Sequence, residues 1–248
     1  MLRFIADFAK LLGADLHGLL IEDKRLASAA GLPFTRVFQR LQDEWQMLET
    51  DDLKRCLEIR AAMMQQEIAA IAEAAGIAAQ LNITDSGSME GIMEDAQASD
   101  IVVVTEPKTP ADCAIHPIED LAGAALRSPA AVLLVPAPIA RLRGSILVNA
   151  RGPEDPAIRF ASVIAAAAKE PLDILGHQES GRPHPPPAFG RLWGRTNERL
   201  IVMSRMEHGD TEPLNIALKR RVPLLVLEAI QAKKLNLRVS PDVWTTAS

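Results

Sequence analysis

Apolar residues recur along the chain at two different spacings, and the switches between them divide it into short elements. Leu2, Ile5, Phe8, Ala9 and Leu12 fall at helical intervals, and Gly13 follows as a C-terminal stop. Residues 16–23, LHGLLIED, make an apolar run too short for a helix and ending in charge, which suits a buried strand. After the turn-like GLPF at 31–34, the chain from about Arg36 to Ala75 is rich in Leu, Met, Gln, Glu and Ala without glycine or proline. That pattern predicts one long helix, or two end to end, stopped by Gly76. IAAQLNI (77–83) predicts a strand, SMEGIMEDAQ (88–97) a helix entered through a serine cap with Glu90 and Glu94, and DIVVVTE (100–106) a β-branched strand. PIEDLAGAALR (117–127) predicts a helix opened by proline, and AVLLVPAP (131–138) a strand ended by prolines.

The remaining chain repeats this order in shortened form. SILVNA (145–150) predicts a strand, RGPED a turn, PAIRFASVIAAAAKE (156–170) a helix and PLDILGH (171–177) a strand. Residues 178–195 are too rich in Pro, Gly and charge for regular structure. RLIVMSR (199–205), EPLNIALKRR (212–221) and VPLLVLEA (222–229) predict strand, helix and strand, and LNLRVS (235–240) one more short strand before Trp244. Strands alternating with helices predict an α/β protein with a parallel sheet covered on both faces. The repetition predicts two tandem units, residues 1–140 and 141–248, the second shortened and followed by a tail.

Composition narrows the class. With 48% hydrophobic and 24% charged residues in 248, the chain can bury a sizeable core and is not a disordered polymer. Its apolar runs, such as Ile101 to Val104 and Ala130 to Pro136, are far below the roughly 20 residues that cross a bilayer, so no transmembrane segment is expected. Asp7 and Lys10 interrupt the N-terminal apolar stretch, which does not read as a signal peptide. Cys56 and Cys113 are the two cysteines, outside any CxxC pattern, so a reducing, cytoplasmic location is expected. Residues 1–140 hold 11 Lys/Arg and 21 Asp/Glu, whereas residues 141–248 hold 16 and 11. An acidic half joined to a basic half favours docking of the two, in one chain or between chains, over nucleic-acid binding.

Candidate chemistry is sparse. The histidines, at 17, 116, 177, 184 and 208, include no i, i+4 pair and no HExxH, so no metal site is indicated. Ser204, His208 and Asp210 are the residue types of a hydrolase triad, but no G-x-S-x-G elbow accompanies them and an enzyme is not expected. Met63, Met64, Met89 and Met93 fit core packing on predicted helices, as does Trp45, with an interface role second. His17 and His177, on predicted strands, are expected to be packing residues. Lys219–Arg220–Arg221 is expected to be a solvated, dipole-favoured helix end.

FAKLLGADLHGLLIED, GLPF, the long Ala/Glu-rich segment, DIVVVTE and VLLVP together resemble the universal stress protein superfamily. SILVNARGPEDPAIRFASVIAAAAKEPLDIL is similar to that family's opening strand, loop, helix and second strand. The resemblance implies two copies of a sheet ordered 3-2-1-4-5, with the first copy starting at its first helix. Either the chain begins late, or another segment, Leu235 to Ser240 being the best candidate, supplies the opening strand in cis or from a partner chain.

ATP-binding members carry an Asp after the opening strand and a G-x2-G-x9-G-[ST] loop after the fourth. Here the Asp position matches Arg151, Glu119–Asp120 fall at the Gly-Ser pair of the first copy, and the second copy has only Gly209, with Asp210–Thr211 at the pair. The resemblance therefore implies a non-enzymatic stress-response or regulatory protein without cofactor, working as a homo-oligomer or with a protein partner. The alternative is an ATP or AMP sensor, whose nucleotide would meet Thr105, Arg151, Gly152, Ser204, Gly209 and Thr211.

Overall fold

The computed structural model describes residues 1–21, 28, 31–32, 34–39, 43–47, 50–84, 93, 96–106, 118–175, 197–205 and 212–228. Helix α1 (Leu2–Leu12) buries Phe4, Ile5, Phe8, Leu11 and Leu12, the face that the apolar spacing anticipates. Gly13 ends it in the left-handed region at φ 63°, where its freedom from a Cβ is needed, and the following amide of Ala14 donates to Ala9. Strand β1 (Leu16–Ile21) then begins.

The expected long helix from Arg36 is not there at its start. Strands β2 (Arg36–Gln39) and β3 (Glu44–Met47) form an antiparallel hairpin, and helix α2 (Thr50–Ala75) follows it. Asp43 takes a positive φ of 54° just before β3. Phe38 and Trp45 are directly paired across the strands with ring centroids 5.3 Å apart. Such a cross-strand pair contributes roughly 0.2–1 kcal/mol and outweighs the helical leaning of the surrounding Gln, Glu and Leu. Trp45 therefore sits on an exposed hairpin and not in a helical core. Asp51 and Asp52 open α2, where negative charge meets the helix dipole. Gly76 closes it at φ 71°.

Strand β4 (Ala79–Thr84) pairs in parallel with β1. The other strands and helices follow as β5 (Ile101–Thr105), α3 (Ile118–Arg127), β6 (Ala131–Val135), β7 (Ser145–Asn149), α4 (Pro156–Ala168), β8 (Leu172–Leu175), β9 (Glu198–Ser204), α5 (Glu212–Arg220) and β10 (Leu224–Leu227). One six-stranded sheet takes the order β5-β6-β10-β9-β7-β8. It is parallel throughout except between its second and third strands, where β6 and β10 run antiparallel with Leu134 opposite Leu224. The sheet is thus mixed, not wholly parallel: two parallel groups run in opposite directions and meet at one seam. Hydropathy cannot register this, because both seam strands are buried on both faces whichever way they run.

Alternate residues feed two cores. On one face Leu133, Ile146, Val148, Leu200 and Leu225 meet α1 and α4 through Phe8, Phe160 and Ile164. On the other face Leu134, Leu147, Ile201 and Leu224 meet Ala122 and Ala125 of α3 and Ala217 of α5. At about 1.5–3 kcal/mol for each fully buried Leu, Ile or Val, these layers are the main favourable term in the fold. Residues on both sides of position 140 contribute to each core.

β9 opens with charge in the interior. Glu198 is fully buried and its Oε1 lies 2.7 Å from Nε of Arg220, while Arg199 on the next position pairs with Glu170 at 3.5 Å. Arg221 joins Glu106. The Lys219–Arg221 run is therefore not a solvated cap: two of its three charges tie down carboxylates from elsewhere in the chain, and only Lys219 is exposed. Gly144, at φ 136°, precedes β7 so closely against β9 that a Cβ there would lie 1.9 Å from the Asn197 carbonyl oxygen.

Candidate functional site

Within the β8-β7-β9-β10 group, β7 leads through α4 to β8 on one side, and β9 lies on the other. The chain therefore turns opposite ways from β7 and β9, and a crevice opens at their carboxyl ends, the usual ligand position in open α/β sheets. The loop after β7 brings Arg151, Gly152 and Asp155 to this crevice, and the end of β9 brings Ser204 and Arg205.

Asp155 organises it. The Asp-Pro pair at 155–156 starts α4: proline fits the first helical turn and lacks only an amide that would have no partner. The Asp155 carboxylate caps the helix by accepting from the Ala157 amide at 2.9 Å. Its second oxygen accepts from the Arg151 amide at 2.8 Å, closing the loop on itself. The Ser204 hydroxyl donates to the first oxygen from the other wall of the crevice. One carboxylate thus joins β7, α4 and β9.

Arginine side chains add two further ties. Arg151 donates through Nη2 to the Arg205 carbonyl oxygen. Arg205 in turn reaches across the β6–β10 seam, donating to the carbonyl oxygens of Ser128 at 2.7 Å and Ala130 at 2.8 Å. Burial lowers the Arg205 pKa below its ordinary value, and nearby Glu228 opposes that shift. Because a guanidinium stays protonated, the shift marks a partly desolvated positive charge held by backbone dipoles. At the opposite end of the seam, Glu106 accepts from the Ala137 amide at 2.8 Å and pairs with Arg221. Arg221 also donates to the Ala137 carbonyl at 2.7 Å.

Of the residues that the sequence assigns to a nucleotide, Arg151, Gly152 and Ser204 meet at this crevice. Thr105 does not: it ends β5, whose group runs opposite to β7 and β9 and whose carboxyl end is at the other end of the sheet. Gly209 and Thr211 lie outside the described residues, as do His116, His177, His184, His208, Asp210, Met89 and Cys113. Gly152 has no positive φ, and nothing lies within 4 Å of a Cβ built on it, so neither its backbone conformation nor a neighbouring protein group requires glycine there. His17 is exposed on β1 and Met63 is exposed on α2, neither packing as expected. Met93 does pack against the core. Among the described residues no group of three or more His, Cys, Asp or Glu could hold a metal ion.

Asp155, Arg205, Glu106 and Arg221 carry the geometry; the first three were not singled out from the sequence, and Arg221 was flagged only as part of a solvated helix end. Only Asp155 left a local signal, the Asp-Pro step before an apolar helix. The others act over long separations: Arg205 reaches Ala130 over 75 positions, Arg221 reaches Ala137 over 84, and Glu106 reaches Ala137 over 31 and Arg221 over 115.

The fold as a whole is similar to solved structures. A universal stress protein from Archaeoglobus fulgidus DSM 4304 is similar over 92% of this chain and 90% of its own, with a TM-score of 0.57 at 16% identity. The chain has the universal stress protein fold. A functionally unknown protein from Pseudomonas aeruginosa PAO1 is similar over 94% of this chain and 89% of its own, with a TM-score of 0.50 and 18% identity. No protein-family model and no curated protein matches the sequence. No helix among the described residues is long and apolar enough to cross a membrane.

Proposed function

We propose that this chain is a non-enzymatic regulatory protein of universal stress protein type, built as two tandem units, 1–140 and 141–248, and acting through protein contacts without ordinary ATP binding. One observation carries the reading: the Asp155 carboxylate takes up the donors of its own crevice. A phosphate at a helix N-terminus needs free amides and tolerates no fixed negative charge beside it. Here the Ala157 and Arg151 amides and the Ser204 hydroxyl all donate to Asp155. Ser204 as a nucleophile would also need a base, and the carboxylate beside it, already accepting three hydrogen bonds, is a weak one. The exposed Phe34, Phe38, Trp45 and Met47 on and beside the β2–β3 hairpin support a role in protein contact, in a homo-oligomer or with a different partner.

Thermal denaturation with and without millimolar Mg·ATP or AMP tests this. The expected result is an unchanged midpoint, because a ligand at 100 times its Kd would add about 2.7 kcal/mol of stability. The second reading, a nucleotide sensor, is favoured by the meeting of Arg151, Gly152 and Ser204 at one crevice. It requires a rise in midpoint that Arg151→Ala abolishes.

A further inference from the structure

The strand pairs on either side of the β6–β10 seam are built alike. Thr105 is paired with Val135 across β5 and β6, and Ser204 with Leu227 across β9 and β10. The next residue on each strand continues the match: the Glu106 amide donates to the Val135 carbonyl oxygen, and the Arg205 amide to that of Leu227. Glu106 therefore corresponds to Arg205, and by the same offset Leu133 corresponds to Leu225 and Pro129 to Arg221. In the seam itself Leu133 lies opposite Leu225, with Val132 opposite Val226 and Leu134 opposite Leu224. Corresponding residues thus meet at the middle, and an approximate two-fold axis passes through the Leu133–Leu225 pair.

About that axis the two ends of the seam are equivalent in place and different in chemistry. At one end Arg205 donates to the carbonyl oxygens of Ser128 and Ala130, which flank Pro129. At the other end Glu106 accepts from Arg221, the counterpart of Pro129. Exchanging the partners spoils both. Two β9–β10 edges meeting in this register would set Arg205 beside Arg221 of the other copy, once at each end. Glu228 lies near Arg205 in the same strand pair, so it accompanies Arg205 in either combination and does not distinguish them. Two β5–β6 edges would aim Glu106 at the Ser128 and Ala130 carbonyl oxygens, acceptor against acceptor, with proline where the arginine should be.

We infer that the seam is keyed: the β9–β10 edge fits a β5–β6 edge and rejects a second β9–β10 edge, so each chain closes its sheet on itself and two copies meet through some other surface. The inference deepens the two-unit reading above and rests on it. The apolar middle of the seam cannot make this choice, because β6 and β10 offer leucine and valine to each other in every combination. Nor is stability the main effect of the charges, since the Glu106–Arg221 pair is partly exposed and such pairs add little. Selectivity is different. A wrong combination holds like charges or facing acceptors together at a packed interface, which penalises it far more than the right pairing is rewarded.

Disulfide trapping in the full chain tests this, with Cys56 and Cys113 replaced by serine and each protein refolded at high concentration, then mildly oxidised and mapped by mass spectrometry. Leu133→Cys with Leu225→Cys is expected to give a disulfide within one chain; a bond between chains, or none, overturns the seam and the two-unit reading with it. Leu225→Cys alone is expected to give no covalent dimer. Adding Arg205→Glu makes the β9–β10 edge match itself, a carboxylate now facing Arg221 of the other copy, and the covalent dimer is expected to rise at least about 10-fold. Arg205→Ala, which supplies no partner for Arg221, is expected to give less. A dimer from Leu225→Cys alone at the level reached with Arg205→Glu overturns the selectivity and leaves the seam standing, and so does equal dimer from Arg205→Ala. Urea midpoints decide independently of whether Arg205→Glu folds. Glu106→Arg and Arg221→Glu are each expected to lower the midpoint and together to recover most of the loss, whereas additive losses overturn the proposal.

Discussion

The interior of the six-stranded sheet and the strands at and beyond its β5 edge end up in different states. From β6 through β7 the strands are almost wholly buried and their neighbours on both sides are paired. Strand β5 is mostly half-buried, and the separate, more polar β1–β4 pair keeps exposed side chains, including Leu19 and Ile83. The difference lies in pairing. β7 is paired on both sides, by β8 and β9, whereas among the described residues β5 is paired only with β6 and β1 only with β4. Hydrophobicity thus makes a strand, and a neighbour makes it part of a core.

This contrast can be broken most directly through charge. Arg220→Ala would leave Glu198 buried without its cation and is expected to cost about 3–5 kcal/mol. Glu106→Ala at the seam, where the paired side chains are 24% and 42% exposed, is expected to cost less than about 1 kcal/mol. Urea denaturation midpoints of the two variants measure the gap, and equal losses would contradict the burial argument. Adding Glu198→Gln to Arg220→Ala should recover part of the loss.

Next comes packing. Leu133→Ala, in the closed centre, is expected to destabilise by about 2–5 kcal/mol, against roughly 0–1 kcal/mol for Leu19→Ala, whose side chain is 44% exposed. Calorimetric midpoints compare them. If Leu19→Ala proved as costly as Leu133→Ala, β1 would be part of a closed core in solution.

Within the crevice, Asp155→Ala removes a helix cap and strands two donors on the β7–β9 side. A loss of about 2 kcal/mol is expected, with Asp155→Asn retaining part of the cap. The smallest effect belongs to Gly152→Ala, expected within about 0.5 kcal/mol of the parent because the added methyl meets open space. A large loss there, seen by the same denaturation curves, would restore the glycine to a structural or binding role.

Local pattern identified most elements, and the reasons for the exceptions are physical. α1, β1, β5, β6, β7 and α4 fall within a few residues of their predicted spans, because each has a clear apolar period bounded by Gly, Pro or a cap. The β2–β3 hairpin was hidden, since Phe38 and Trp45 favour strand only through each other and neither carries that information alone. The site shows the same limit. Arg151 and Ser204 were flagged for their positions after strands, but their engagement by Arg205 and Asp155 depends on neighbours some fifty residues away.

By itself the sequence determined an alternating α/β chain, the lengths of most strands and helices, the cap that begins α4 and the missing glycine pattern of a phosphate loop. Those properties reside in residues next to one another, where backbone preference and apolar spacing act directly. Only the tertiary structure decided the antiparallel seam, the inward turn of Glu198 and the joining of both crevice walls by Asp155. Each of these depends on groups that meet only after the sheet has formed, and their energy comes from burial and pairing that no local segment possesses.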